Sequence, residues 1–435
     1  MDCDLIISGG TVLPMAPGSQ PIEDGAVAVK GGEIVAVGAA ADLLEQASGA
    51  EVLDAGGGLI IPGLVNAHTH LGMTVLRGYA DDLPLKEWLE ERIWPVEREL
   101  MSAEVVSLGT RWAAVECLLA GVTCVCDMYF HVHDVVAACR EAGLRAVVSE
   151  SMIDFPTPAC PTPDDALRQQ RALLDELGEG GLVVPAVAAH APYSVSAANL
   201  AREAELAEEY AAPLVIHLAE TRWEVDTILA EKGTTPVAYL ADLGILSERT
   251  VAAHCVHVSP ADIEILAEFE VGVASNPVSN LKLASGVAPL PQMLDAGLKV
   301  GLGTDGVASN NTLDLLRDAQ LAALLYKGLS GDPTCLPART LVDLVTLGGA
   351  RVLGLSDRIG SLEPGKRADV VCVAVDAAHA VPLFDPFAHL AYAARAGDVR
   401  HVVVDGHVAV RDGSVTTLNE DALRREVRAL ARRLR

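Results

Sequence analysis

Two histidines one residue apart, His68 and His70, sit in the stretch Pro62-Gly63-Leu64-Val65-Asn66-Ala67-His68-Thr69-His70. On an extended backbone both imidazoles project from one face and can reach one metal ion, while Thr69 faces elsewhere. An HxH pair alone is a weak motif. Three later segments end in residues that would complete a donor set: His217-Leu218-Ala219-Glu220, His254-Cys255 with His257 close behind, and Thr304-Asp305-Gly306. Singly, each has an ordinary structural account, His217 as a hydrogen-bonded core histidine and Asp305 as a turn residue or helix cap. Together, three histidines and a carboxylate on one rim make a nitrogen/oxygen site for a divalent cation, with a position open for water.

These residues can meet only if the elements before them share one sheet. Leu59-Ile60-Ile61 reads as a short buried strand opening the series, and further buried runs follow at 121–128, 144–150, 182–190, 213–218, 250–255, 271–276 and 299–305. Amphipathic helical patterns alternate with them, at 102–119, 163–177, 196–210, 259–269 and 312–327. Eight such β/α units predict an α/β fold, a (β/α)₈ TIM-like barrel over residues 62–362, with the active site at the strand C-termini. The flanks differ. Short β runs with glycine turns occupy residues 4–61 and return after 363, at 369–375, 399–405 and 407–411. Residues 1–61 and 363–435 therefore predict one small discontinuous β-sandwich built from both chain ends. The last fifteen residues form a basic amphipathic helix with Arg424, Arg425, Arg428, Arg432, Arg433 and Arg435, read as a solvated face pairing with the protein's own acidic surface.

Composition narrows the function classes. The 435 residues are 51% hydrophobic but only 4% aromatic, so the core is built from Ala, Val and Leu. With 32 basic against 59 acidic residues the net charge is −27. That balance disfavours phosphate backbones and anionic lipid, which sets nucleic-acid and membrane partners aside. Nine cysteines without CxxC spacing, and no apolar span or signal pattern, point to a reducing cytoplasm. Cys124 and Cys126 share a strand face but no second pair answers them.

The stretches PGLVNAHTHLGMTVLRGYADDLPLKEWL, HLAETRWE, AAHCVH, SNPVSNLKLASG, GLGTDGVASNN and GSLEPGKRADVV, in that order along nearly the whole chain, resemble the amidohydrolase superfamily. The likeness is to its branch of 5′-methylthioadenosine/S-adenosylhomocysteine deaminases and their triazine chlorohydrolase relatives. The resemblance implies that His68, His70, His217 and Asp305 ligate one divalent metal ion, zinc with Fe²⁺ as the alternative. Binuclear members carry a carboxylated lysine at the end of strand four; here that end reads Ala188-Ala189-His190-Ala191-Pro192-Tyr193, which favours a single ion. Water on such an ion ionises near neutral pH and becomes a nucleophile. Asp305 can accept its proton, Glu220 can protonate the ring nitrogen beside the attacked carbon, and His254 can polarise the attacking oxygen.

Glu220 and His254 together rank deamination above dehalogenation. Trp88, Glu97 and His190 match family positions that cover the base, accept ribose hydroxyls and reach a purine ring nitrogen; Trp88 and Trp94 also suit the core of an amphipathic helix. Asn276 and Asn280 either line the pocket or brace a loop, and His131 and His133 read as pocket rim or helix start. The expected substrate is a small molecule of adenosine type. A pterin, a guanine-like base or a triazine is the alternative, and a non-catalytic scaffold ranks below both. Relatives of this kind are commonly dimers or larger, so a homo-oligomer is compatible with the resemblance. The segment Ser149–Pro158 lacks Arg and Lys, while Glu150 and Asp154 would repel a substrate carboxylate and Met152, Ile153 and Phe155 would suit a methylthio group. The expectation is 5′-methylthioadenosine or adenosine over S-adenosylhomocysteine.

Overall fold

In the computed structural model, which describes residues 1–47, 49–178 and 180–434, the chain changes sheets at Gly63. Leu59–Pro62 pairs antiparallel with Val370–Val373 and belongs to the terminal sheet, whereas the first barrel strand is Leu64–Thr69. The Leu59-Ile60-Ile61 run is therefore not the opening of the barrel, contrary to expectation. A strand buried on both faces is apolar throughout whichever sheet it joins, so its sequence does not name its partner. Gly63 makes the crossing: its amide donates to Asp369 O, and a Cβ there would lie 1.9 Å from Thr123 Oγ1.

The barrel strands are β1 (Leu64–Thr69), β2 (Val122–Tyr129), β3 (Arg145–Met152), β4 (Val183–Pro185 and Val187–Ala189), β5 (Leu214–Leu218), β6 (Thr250–His254), β7 (Gly272–Ser275) and β8 (Lys299–Leu302). They pair in parallel in that order. The seam between β8 and β1 is closed by side chains. Asn66 Oδ1 accepts from Thr304 N at 3.0 Å and Asn66 Nδ2 donates to Thr304 Oγ1 at 2.7 Å, while Asp305 N donates to His68 O at 2.9 Å. Val65, Ala67, Cys124, Cys126, Ala186, Ala188, Val215, Val251 and Ala274 fill the interior, and Ala350 and Val352 of the helix Leu347–Val352 join them. Small side chains serve here because the barrel axis is crowded. Cys124 and Cys126 are thus core filling, their thiols pushed up by burial.

The surrounding helices start where the sequence supplies caps. Thr162 and Ser259 form capping boxes with Asp165 and Asp262, with Pro163 and Pro260 in the first turn. The terminal sheet runs Ser414–Val415, His407–Arg411, Val399–Val404, Val370–Val373, Leu59–Pro62, Leu5–Val12, Ile22–Lys30, Glu33–Ala39, with Glu51–Asp54 also on Leu5–Val12. It curls until Glu33 bridges Arg367, so Ile7, Val29, Ile34, Ile60, Val370 and Val403 share one core. Arg145, at the start of β3, ties it to the barrel: its guanidinium is buried and bonds Asp369 at 2.8 and 3.0 Å and Asp405 at 2.8 Å. The helix Glu420–Arg433 packs on Ala103–Leu119 with Leu423 and Leu430 buried, and Arg424 pairs with Glu420 and Asp421 of its own turn. Arg435 lies outside the described residues. Among the described residues no helix is long and apolar enough to cross a membrane.

Candidate active site

β1 carries His68 and His70 to the rim, β5 carries His217, and the turn after β8 carries Asp305. The His68 ring lies 4.8 Å from His70 and 4.9 Å from His217, centroid to centroid. Asp305 Oδ1 stands 3.1 Å from His70 Nε2 and 3.5 Å from His68 Nε2. His70 Nδ1 donates to Met128 O at 2.6 Å, and His217 Nδ1 donates to His190 O at 2.7 Å. A carbonyl only accepts, so those nitrogens carry the protons and leave Nε2 as each ring's second donor atom; at His70 burial opposes ionisation, but Asp305 beside Nε2 raises the ring to about 9. Both ring nitrogens of His68 are buried without a hydrogen-bond partner. Leaving such a group unpaired is costly, and a cation at Nε2 removes the cost. Burial, then the neighbouring histidines, holds His217 well below its ordinary pKa, in the neutral state a metal requires. Burial opposes ionisation of Asp305, but His68 and His70 outweigh it and keep the carboxyl well below its usual range. Its Oδ2 accepts from Ser279 Oγ at 2.6 Å and Ser309 Oγ at 2.8 Å. The donor atoms of His68, His70 and Asp305 lie within 4.8 Å of one another, as do those of His68, His217 and His254, and nitrogen/oxygen sets of this kind fit a divalent cation.

Beside this set stands a second pair. His254 Nδ1 donates to Asn280 Oδ1 at 2.8 Å, which turns Nε2 toward Glu220 Oε2, 3.7 Å away. Burial raises the Glu220 carboxyl above its ordinary pKa, partly offset by His254. The backbone leaves three strands in the left-handed region, with φ +51° at Ala219, +74° at His254 and +62° at Asp305. Each costs on the order of 1–3 kcal/mol at a non-glycine residue and needs local support. At Ala219 the support is the buried Glu224 carboxylate, which accepts from Ala219 N at 2.8 Å and Glu220 N at 2.9 Å.

These groups form the floor of a cavity of about 650 Å³. Its walls include Trp88, Trp94, Ile153, His190, Tyr193 and Leu283, and among the described residues no Lys or Arg lines it. Glu97 lies in the wall, buried, with Oε1 accepting from Tyr129 O–H at 2.5 Å; burial raises its carboxyl to about 7. Burial likewise lowers His190 to about 3, and its Nδ1 is within 2.7 Å of Ser194 Oγ. The mouth continues into an outer hollow that shares Leu89, Trp94 and Tyr193 and adds Lys86 and Arg222.

Of the residues named from sequence as site members, His70, Trp88, Glu97, His190, His217, Glu220, His254 and Asp305 line this cavity, His68 is buried beside His70 and His217, and Trp94 joins Trp88 in the wall. Of the strand-three residues expected to face the substrate only Ile153 lines the cavity; Met152 and Phe155 do not, and the two expected carboxylates lie elsewhere. Glu150 does not face the cavity: it is buried against the Val132 amide, 2.9 Å, and the Cys160 thiol. Asp154 instead accepts from Ser196 N and Asn199 Nδ2, at the start of the helix Ala197–Glu209 after β4. Alternate residues of a strand point to opposite sides, which places Ser151 and Ile153 inside and Glu150 out. Asn280 braces His254, and Asn276 Nδ2 lies 3.3 Å from the same nitrogen; neither lines the cavity. His131 starts the helix Val132–Ala142, and His133 pairs with Glu176 at the surface. Tyr129, Glu224, Ser279, Ser285 and Ser309 escaped sequence reasoning. Only Glu224 left a signal, the helix-start pattern Thr221-x-x-Glu224.

The model of the amidohydrolase family matches residues 59–409. A 5-methylthioadenosine/S-adenosylhomocysteine deaminase of Syntrophobacter fumaroxidans is 44% identical over 432 residues, 99% of this chain and 98% of the relative. The crystal structure of an adenosine deaminase from Xanthomonas campestris with bound zinc superposes with a TM-score of 0.97 at 40% identity, covering 99% of this chain and 98% of that one. An atrazine chlorohydrolase of Arthrobacter aurescens complexed with zinc gives 0.91 at 27% identity, covering 98% and 100%.

Proposed function

The chain belongs to the amidohydrolase family, and from that premise we propose that it is a cytoplasmic hydrolytic deaminase of adenosine-type nucleosides, dependent on one divalent cation. The observation that carries this reading is the buried pair Glu220–His254, 3.7 Å apart, directly beside the donor set of His68, His70, His217 and Asp305. Those four residues would hold zinc, or Fe²⁺, with His190 and no lysine at the end of β4 supporting one ion. A cation of this kind lowers the pKa of water and supplies a nucleophile at neutral pH. Residues 62–362 form the catalytic unit in this reading, and 1–61 with 363–435 the accessory one.

Each side chain then has one task. Glu220, kept protonated by burial, gives its proton to the ring nitrogen beside the attacked carbon, without which the aromatic ring resists addition. His254 Nε2 steadies the incoming oxygen by a hydrogen bond. Asp305 takes the proton of the attacking water and passes it to the leaving amine. Glu97 accepts ribose hydroxyls, Trp88 covers the base, and His190 meets a purine nitrogen.

The cavity wall offers a substrate carboxylate no cation. An unpaired carboxylate there costs on the order of 1–3 kcal/mol, a preference of roughly ten- to a hundredfold for adenosine or 5′-methylthioadenosine over S-adenosylhomocysteine. The test is metal content together with kcat/KM on those three compounds and 5′-deoxyadenosine, with guanine, a pterin and a chlorotriazine alongside. Full metal content without ammonia release from any nucleoside would overturn the reading, as would a metal-free, inactive protein, which leaves a scaffold. S-Adenosylhomocysteine used as well as 5′-methylthioadenosine would instead sink the preference and implicate Lys86 and Arg222.

A further inference from the structure

The segment after β7, residues 276–286, which includes the short helix Pro277–Lys282, sends one side chain to each of three groups proposed for acid–base work. Ser279 Oγ donates to Asp305 Oδ2 at 2.6 Å, Asn280 Oδ1 accepts from His254 Nδ1 at 2.8 Å, and Ser285 Oγ donates to Glu220 Oε1 at 3.1 Å. The third contact decides which oxygen of Glu220 carries the proton. We propose that Ser285 is the positioning residue for proton donation: its hydroxyl occupies Oε1, so the proton sits on Oε2, the oxygen turned toward His254 and the cavity. This rests on the reading of Glu220 as the donor.

Ser285 is built for that task. Among the described residues Glu220 is the one acceptor its hydroxyl reaches. Its backbone is pinned at both ends, Ser285 N donating to Asn280 O at 2.8 Å and Ser285 O accepting from His257 Nε2 at 2.6 Å. His257, three residues beyond His254, thus braces the serine and stands apart from the metal donors. Glu220 is held from the other side through its amide on Glu224. Serine and glutamate are both buried.

In the step itself the Oε2–H bond breaks and an N–H bond forms on the substrate ring, and Glu220 passes from neutral acid to carboxylate. The new negative charge is shared with Oε1, where the Ser285 hydroxyl already points. A hydrogen bond to an anion is stronger than one to a neutral acid, so the contact stabilises the transition state more than the bound substrate. Its loss therefore falls on kcat and leaves KM.

The experiment compares Ser285→Ala, Ser285→Thr, Glu220→Gln and the Ala/Gln double variant on 5′-methylthioadenosine, with enzyme in excess for slow variants and zinc content measured throughout. Ser285→Ala should lose about 10- to 100-fold in kcat with KM and zinc unchanged. Ser285→Thr, which keeps the hydroxyl, should recover most of it. In the Glu220→Gln background the alanine change should add less than about twofold, since no proton remains to be placed. An equal loss in both backgrounds, or failure of threonine to rescue, would make Ser285 a structural brace and overturn the proposal. A Glu220→Gln enzyme with normal turnover would instead overturn the donor assignment itself.

Discussion

Glu224 touches no substrate, yet Glu224→Gln should cost most of the activity. Its two carboxylate oxygens each take one backbone N–H, from Ala219 and Glu220. The amide keeps one acceptor and turns an NH₂ toward the other donor. Burial raises the Glu224 carboxyl to about 8, so near neutral pH the lost hydrogen bond costs about 0.5–1.5 kcal/mol, and the stranded N–H adds about 1–3 kcal/mol. The left-handed backbone at Ala219 stores on the order of 1–3 kcal/mol. The lost support matches or exceeds the stored strain, so the turn should relax and carry the Glu220 carboxyl away from His254. A displacement near 1 Å at a reacting group is worth about a hundredfold in rate. The expected result is kcat down roughly a hundredfold, a melting temperature lower by a few degrees, and unchanged metal content, because His217 lies on the strand before the turn. Thermal melting, metal analysis and steady-state kinetics test this together. A lower melting temperature with wild-type kcat would refute it, showing that something other than this turn aims Glu220.

His217→Ala should lose metal and activity together, measured as zinc per chain, since His68, His70 and Asp305 alone leave the site one donor short. Glu97 gives a pH signature: its carboxyl, raised to about 7 by burial, is a neutral acid below that pH and a two-oxygen acceptor above it. KM for nucleosides should therefore rise as pH falls through about 7, and Glu97→Gln should flatten the dependence; an unchanged profile in that variant would assign it elsewhere. Arg145→Met should strand the buried Asp369 at the contact between barrel and terminal sheet, while Asp405 keeps Arg367. Removing one partner of a buried ion pair costs on the order of 3–5 kcal/mol, to be read from denaturant unfolding, and a change under 1 kcal/mol would show that Asp369 finds another partner.

Much of this molecule is legible in the order of its residues. Alternating apolar periods report burial, so seven of the eight barrel strands and most of their helices follow from pattern alone. Metal donors and acid–base groups need particular side chains, so the roles proposed for His68, His70, His217, Glu220, His254 and Asp305 can be read from residue type and from position at strand ends. Pattern does not say which sheet a strand joins, and Leu59–Ile61 reads equally well in either. Nor does it fix which of two neighbouring strand residues faces inward, and that is why Glu150 seemed to guard a cavity it does not enter. The fine positioning of the site is still less visible. Ser279, Asn280 and Ser285 are commonplace residues that acquire roles because the fold lays their loop against groups 26, 26 and 65 positions away. A hydroxyl or amide becomes a proton-placing group only when a particular carboxylate or imidazole lies within 3 Å or so of it, and that distance is a property of the folded chain.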